Sequence, residues 1–213
     1  MASPVDPSMI AKYVKLLKGL KGQGHAVAAV VGGGDLAREL INVARDIGLK
    51  SESQDEVAIS VSRLFALLFV KKLGNAGCSK VPVTVEEAAR CLHQGKIVVM
   101  GGLCPGMTTD TVAALIAKAV EADLLVKASD QDGIYNKDPR KYADASRLEH
   151  LSFEDLSHVF SEDVHKAGIH QIIDPEAVKI VVRDRLKVAV VNGFRPENVL
   201  EAVKGNCPGT LIS

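Results

Sequence analysis

The stretch Ile97–Asp110, IVVMGGLCPGMTTD, decides the fold. A short unbroken apolar run, Ile97 to Met100, is the pattern of a strand buried on both faces, and such strands belong to parallel sheets. Three glycines and a proline follow, and Thr109 opens a helical pattern that reaches Ala122. Strand, glycine-rich loop and helix in that order form half of a crossover unit. Thr108 or Thr109 can cap the helix or meet a phosphate oxygen at its N-terminus. The loop is longer than a plain strand–helix turn requires, which favours a ligand role over a simple connection.

The same pattern lies on both sides of this stretch. Upstream, HAVAAVVGGGDLAR (His25–Arg38) reads as a buried strand from His25 to Val31, a three-glycine turn and a helix from about Asp35 to Asp46. Glycines let backbone N–H groups approach an anion, and the helix start adds positive dipole. Arg38, on the first helical turn, can fork onto a phosphate. The turn is neither a G-x-G-x-x-G fingerprint nor a Walker loop, and a tight turn without ligand explains it equally well. Downstream, LLVKASDQDGIYNKDP (Leu124–Pro139) reads as a third buried strand, Leu124–Ala128, followed by an aspartate-rich loop. Asp132-Gly133 is a turn signal. The register and terminal glutamate of a calcium loop are absent, and a polar surface loop is the alternative reading. Three strand ends thus carry glycine or polar clusters, and open parallel sheets collect ligands outside the carboxyl ends of their strands.

The remaining elements fit this frame. Met9–Leu20 is an amphipathic helix, with Ile10, Val14, Leu17 and Leu20 on one face, start signals at Pro7 and Ser8 and stops at Gly22 and Gly24. Asp55–Lys72 is a long helix with apolar residues on more than one face, so it is either central or packed against a second subunit. Phe65, Leu67, Leu68 and Phe69 read as core or subunit interface. A strand is expected at Lys80–Val83 and helices at Val85–Leu92, Ser152–Phe160, Pro175–Asp184 and Pro196–Val203. Val188–Val191 reads as a fourth strand and Thr210–Ile212 as a closing edge strand. Strands alternating with helices give an α/β protein with a mainly parallel sheet, a single domain with two lobes.

Composition narrows the function. The chain has 213 residues, 47% apolar and 24% charged, enough apolar material for a core. Its 26 basic and 26 acidic residues cancel, which argues against a nucleic-acid partner, because such binding draws its affinity from a basic surface. The four cysteines, Cys78, Cys91, Cys104 and Cys207, form no C-x-x-C pair, so neither structural zinc nor a disulfide framework is suggested. His165 and His170 lack the helical spacing of metal ligands. No G-x-S-x-G elbow is present, and Cys104 has no basic helper to make it a nucleophile. No apolar run approaches membrane-spanning length, and the N-terminus has no signal-peptide core, so a cytoplasmic protein without a membrane partner is expected.

Four segments together carry a resemblance. VVGGGDLARE (30–39), VVMGGLCPGMTTDTVAALIA (98–117), ADLLVKASDQDGIYNKDPRK (122–141) and HKAGIHQIIDPEAVKIV (165–181) resemble the amino-acid kinase superfamily, and within it the archaeal-type uridylate kinases. The resemblance covers nearly the whole chain, and its most specific part is GG-x-x-PG-x-TTD followed by D-G-I-Y-x-x-DP. It implies a three-layer α/β/α sandwich and transfer of the ATP γ-phosphoryl group to UMP, with Mg²⁺ bridging ATP oxygens and no protein-held metal. A nucleoside-monophosphate lobe over residues 1–122 and an ATP lobe over 123–213 would follow.

Residue by residue, the resemblance implies that Gly33 contacts UMP and that Asp55, at the head of the long helix, holds the UMP ribose. Leu103, Cys104, Pro105, Gly106, Met107, Thr108 and Thr109 would wrap the UMP phosphate and base. Gly34 and Arg38 would lie toward ATP, with Arg38 on the transferring group as the catalytic side chain. Ser129, Asp130, Tyr135 and Asp138 would line the ATP site. Leu103 and Cys104 stand where the family has threonine and histidine, and are expected to contribute backbone contacts only. Asp130 stands where asparagine is usual and adds a negative charge near the nucleotide. Family members form hexamers built from dimers, so a homo-oligomer is expected. The family opens with a strand ending in a Gly-Gly-Ser turn that cradles ATP phosphates, whereas this sequence opens MASPVDPSMI, directly at its first helix; weak or absent kinase activity is the expectation for the chain as given. Two other readings share the fold: an inactive nucleotide-binding protein, and a kinase acting on a carboxylate or carbamate. Asp55 and the PG-x-TTD loop favour a nucleotide acceptor over the latter.

Overall fold

The computed structural model describes residues 6–161 and 172–213. The histidines at 165 and 170, and residues 165–171 of the resemblance, lie outside the described residues. The chain divides into two compact units, Met1–Val112 and Ala113–Ser213.

In the first unit, helix α1 (Pro7–Gly22) starts at Asp6, whose carboxylate accepts the Ser8 N–H at 2.8 Å, with Pro7 just inside the helix. Hydrogen bonds from the Ser8 hydroxyl and then the Ser8 N–H hold the Asp6 carboxyl below the usual carboxylate range. Val14, Leu17 and Leu20 are buried, the face expected from their spacing. Strands β1 (Ala28–Val30) and β2 (Val98–Met100) pair in parallel, Ala28 opposite Val98 and Val30 opposite Met100. β2 is fully buried, as its apolar run requires. β1 is not: Ala28 is exposed and Ala29 and Val30 are half-buried, because among the described residues β1 pairs with β2 alone.

Helices α2 (Gly34–Asp46) and α3 (Ser51–Leu73) follow β1 and pack on each other, and α3 also packs on β2 and α1. α3 begins a full turn before the expected Asp55. Its opening Ser-Glu-Ser-Gln contains no helix breaker, and Glu52 suits the positive end of the dipole. No strand forms at Lys80–Val83, where Pro82 lacks a ladder donor; the extension beside β2 is instead a bridge from Gly77 to Ile97. Helix α4 (Val85–His93) is capped by Thr84, which accepts the Glu87 N–H at 3.1 Å.

Helix α5 (Thr109–Ala119) contains the division between the units. The second unit then holds β3 (Leu125–Ser129), β4 (His150–Leu151), α6 (Phe153–Ser161), α7 (Pro175–Asp184), β5 (Val188–Asn192), α8 (Pro196–Val203) and β6 (Thr210–Ile212). The strand order is β3-β5-β6-β4, with β3–β5 and β4–β6 parallel and β5–β6 antiparallel. β6 is therefore an inner strand, not the closing edge that its position in the chain suggests. The edge on that side is β4, whose two residues are too few to show an alternating pattern. β3 is half-buried rather than buried on both faces. Phe153, Leu156, Val181, Val188, Val190 and Ile212 form the middle of this unit's core. Three of the four strand pairs among the described residues are parallel, which makes the fold α/β with parallel-dominated sheets.

Candidate functional site

The site in the first unit is built by α3 against the loop that follows β2. Asp55, Ile59 and Ser62 recur at i, i+4 and i+7, so they share one stripe of the helix. Ser62 is 3% exposed; its hydroxyl accepts the Gly102 N–H at 2.8 Å and donates to the Ile59 carbonyl at 2.7 Å. Arg63 donates from Nε to the Gly102 carbonyl at 3.0 Å and from Nη2 to the Leu103 carbonyl at 2.9 Å. Asp55 Oδ2 accepts the Gly106 N–H at 2.8 Å. Asp55 and, two turns later, Ser62 and Arg63 thus lay the loop along the helix by its backbone.

This explains two glycines. A Cβ on Gly101 would stand 2.6 Å from the Arg63 backbone nitrogen and 2.6 Å from Ser62 Oγ, so the residue must be glycine for β2 to run against α3. Gly106 has φ +76° and makes the turn that presents its N–H to Asp55. At the loop's end, Thr108 Oγ1 accepts the Thr111 N–H at 3.2 Å and starts α5.

Helix and loop enclose a cleft of about 420 Å³. Gly33, Asp55, Cys104, Gly106, Met107, Thr108 and Thr109 line it, all singled out from the sequence. Leu103 and Pro105 do not; Leu103 gives its carbonyl to Arg63 instead. Gly102 extends the expected loop by one residue, and Ile59 and Ser62 line the cleft without having been expected. Their signal was present: counting one helical repeat and then two from Asp55 reaches Ile59 and Ser62, and a serine inside an apolar helix needs a partner. Gly34 and Arg38 lie outside the lining. Arg38 sits in the second turn of α2 rather than the first, and its exposed guanidinium pairs with Asp35.

In the second unit, the loop after β3 gathers Ser129, Asp130, Tyr135 and Asp138. Its carboxylates are each engaged. Arg140 Nη2 donates to Asp130 Oδ2 at 3.0 Å, and the Arg140 backbone N–H donates to Asp138 Oδ1 at 2.9 Å. Asn192 Nδ2 donates to Asp132 Oδ1 at 2.9 Å. Lys137 pairs with Asp144, which holds that carboxyl below its usual range, and stands 5.6 Å over the Tyr142 ring. Ser129 Oγ accepts the Gln131 N–H at 3.3 Å, and Tyr135 bridges to Arg147 across the loop. Thr210, fully buried on β6, accepts the Ile134 N–H at 2.8 Å and donates to the Leu148 carbonyl at 2.5 Å, tying both ends of the loop to the sheet.

Among the described residues no group of three or more His, Cys, Asp or Glu could hold a metal ion, and no helix is long and apolar enough to cross a membrane. The cleft offers backbone amides, hydroxyls and one carboxylate, a set that suits a ligand carrying both an anionic group and hydroxyls. Fold and cleft define an α/β protein that handles a phosphorylated small molecule at glycine-rich strand ends. Residues 2–192 match the amino acid kinase family, and the chain belongs to that family. It is similar to the uridylate kinase of Methanocaldococcus jannaschii, 44% identical over 95% of this chain and 89% of that protein. A uridylate kinase of Methanococcus maripaludis is 41% identical over 96% of this chain and 90% of its own. The crystal structure of uridylate kinase from Archaeoglobus fulgidus superposes with a TM-score of 0.87 at 36% identity, covering 98% of this chain and 94% of that one. UMP kinase from Ureaplasma parvum, 18% identical, shares the fold with a TM-score of 0.83, covering all of this chain and 92% of its own.

Proposed function

We propose that the chain is a UMP kinase, which transfers the γ-phosphoryl group of ATP to UMP and releases UDP for pyrimidine nucleotide synthesis in the cytoplasm. The observation that carries this reading is the cleft in which Asp55 and the Gly102–Thr109 loop face each other on a chain 44% identical to a uridylate kinase. In this reading the lobe up to residue 122 takes the nucleoside monophosphate and residues 123–213 take ATP.

Asp55 accepts hydrogen bonds from the ribose hydroxyls. The main chain of Leu103 to Thr109, with Gly33, meets the UMP phosphate and base; Leu103 and Pro105 act through their main chain, Pro105 by its carbonyl alone because it has no N–H. The donor's nucleotide lies along Ser129, Asp130, Tyr135 and Asp138, with Gly34 toward its phosphates. The Arg140–Asp130 pair offsets the negative charge that Asp130 brings to an anion site. Transfer is in line and needs no covalent intermediate on the protein. The UMP phosphate is already an anionic nucleophile, so no strong general base is required. Arg38 stabilises the transferring group after leaving Asp35; an exposed pair of this kind is worth only about 0–1 kcal/mol, so release is cheap. Mg²⁺ would enter with ATP and would supply charge neutralisation at the transferring phosphates.

Self-association is part of the proposal. Leu64, Leu67 and Leu68 on α3 are 52%, 36% and 43% exposed, which supports burial against a second copy in a homo-oligomer, a hexamer built from dimers.

An acceptor panel tests the reading. UMP should bind and turn over in preference to CMP, AMP, GMP and carbamate. Turnover of carbamate or acetate without UMP would overturn it.

A further inference from the structure

An exposed aromatic ring stands at the carboxyl end of β5 and serves neither the core nor the site described above. β5 ends at Asn192, and Gly193, Phe194 and Arg195 lead into α8. Phe194 is 69% exposed, more than any other aromatic residue among the exposed apolar residues of the described chain.

The backbone beneath that ring is fixed. The Gly193 N–H donates to the Ser129 carbonyl at 2.7 Å. Asn192 uses both ends of its amide: Oδ1 accepts the Phe194 N–H at 2.9 Å, and Nδ2 donates to Asp132 Oδ1 at 2.9 Å. Asn198 Nδ2 adds a bond to the Asn192 carbonyl at 3.2 Å. The turn is therefore tied both to the end of β3 and to the aspartate loop that follows it, while the ring remains in solvent. A surface turn has no need of a phenylalanine held this way.

Its position is equally specific. β3 and β5 are parallel neighbours with Ser129 opposite Asn192, so Phe194 stands next to Ser129–Asp132 on the carboxyl edge of the pair. That edge is where ligands of α/β sheets gather. The charges of the adjacent loop are largely paired among themselves, Asp130 with Arg140 and Lys137 with Asp144. What the edge offers a ligand beyond those pairs is an apolar, rigidly backed ring face, and an aromatic face of this kind stacks nucleobases without reading their hydrogen-bond edges.

We infer that Phe194 is the stacking platform for the base of the phosphoryl donor. The inference rests on the proposed function, in which the second unit binds ATP. Stacking scales with ring area, so Phe194 sets a preference for purine over pyrimidine donors with little discrimination between ATP and GTP.

The sequence contains no tryptophan, so Phe194→Trp introduces a single indole reporter. ATP should quench and shift its emission, whereas tripolyphosphate and UMP should not. Phe194→Ala should raise the KM for ATP about tenfold, leave the KM for UMP unchanged, and lower kcat at saturating ATP less than twofold; Phe194→Tyr should behave as the unmodified protein. An unaltered KM for ATP in Phe194→Ala, or equal quenching by tripolyphosphate, would overturn the platform. So would an emission that follows protein concentration rather than ATP, which would mark a subunit contact. Calorimetry on the unmodified protein separates the two layers: absence of ATP binding there overturns the proposed function itself, while ATP binding with unchanged affinity in Phe194→Ala overturns the platform alone.

Discussion

The Gly106 backbone amide donates to Asp55 Oδ2 at 2.8 Å, across a turn that only a left-handed glycine makes easily. One carboxylate oxygen thus holds the ligand loop in place, and Oδ1 accepts no hydrogen bond among the described residues. Asp55→Ala removes both the loop anchor and the proposed ribose acceptor. Hydrogen bonds to a charged group are worth about 1.5–3 kcal/mol, so the KM for UMP should rise roughly ten- to a hundredfold while the KM for ATP changes little. Steady-state kinetics with each nucleotide varied in turn checks this. Equal loss toward both nucleotides would remove Asp55 from the acceptor site.

Ser62 and Gly101 should act on stability before chemistry. Ser62→Ala leaves the buried Gly102 N–H without its partner, at a cost of about 1–3 kcal/mol. Gly101→Ala drives a methyl against the Arg63 backbone and should cost about 1–3 kcal/mol or more, since the helix backbone has nowhere to yield. Urea midpoints at constant m-value report both. A wild-type midpoint for Gly101→Ala would mean that β2 and α3 lie further apart than described.

Arg38 should matter to turnover and not to acceptor affinity. Its ion pair with Asp35 is exposed, so Arg38→Ala should leave the urea midpoint within about 0.5 kcal/mol of wild type. If the guanidinium stabilises the transferring phosphoryl group, kcat should fall about a hundredfold or more with the UMP dissociation constant unchanged. An unchanged kcat would exclude the role.

The cysteines supply a chemical test of the cleft. Cys104 lines it and is exposed, whereas Cys78 is buried, and burial together with the neighbouring Cys91 thiol pushes Cys78 up to about 12. At pH 8, iodoacetamide should modify Cys104 first and Cys78 last. UMP at roughly ten times its dissociation constant should slow Cys104 labelling about tenfold, and peptide mass spectrometry reads both effects. The folded protein keeps the Cys78 thiol neutral where the unfolded chain would ionise from the ordinary value of 9.0. Its contribution to stability is therefore complete below pH 9.0 and declines as pH rises toward about 12, a decline that Cys78→Ala should remove.

The exposed leucines of α3 predict the assembly. Leu64→Asp with Leu67→Asp places two charges on a face proposed to be buried between copies. Light scattering coupled to size exclusion should show a smaller particle than wild type, with the helical circular dichroism signal kept. Particles of equal mass would place the subunit contact elsewhere.

Much of this was legible in the residues. Pro175 and Pro196 mark helix starts through a fixed φ and a missing N–H, and α7 and α8 begin there. The apolar run at Ile97–Met100 gave a fully buried strand because burial on both faces leaves no room for alternation. The first apolar run misled for the same reason: the pattern of β1 reports apolarity, and its exposure depends on what pairs with it. β4 escaped because two residues carry no period, and with it went the inner position of β6. In the site, the glycine loop and Asp55 were visible as motifs and Ser62 by its helical spacing from Asp55, whereas what Ser62 and Arg63 hold was not. They act on main-chain atoms across about forty residues of sequence, and a partner that is a backbone amide or carbonyl leaves no mark in the side-chain pattern.

The central claim is tested most directly by following the γ-phosphoryl group itself. Phosphorus NMR of the protein with MgATP and UMP should show the γ resonance of ATP lost as the β resonance of UDP grows in equal amount. It should show no such transfer when UMP is replaced by carbamate. Hydrolysis of ATP to free phosphate without UDP, or no change in either nucleotide, would contradict the account.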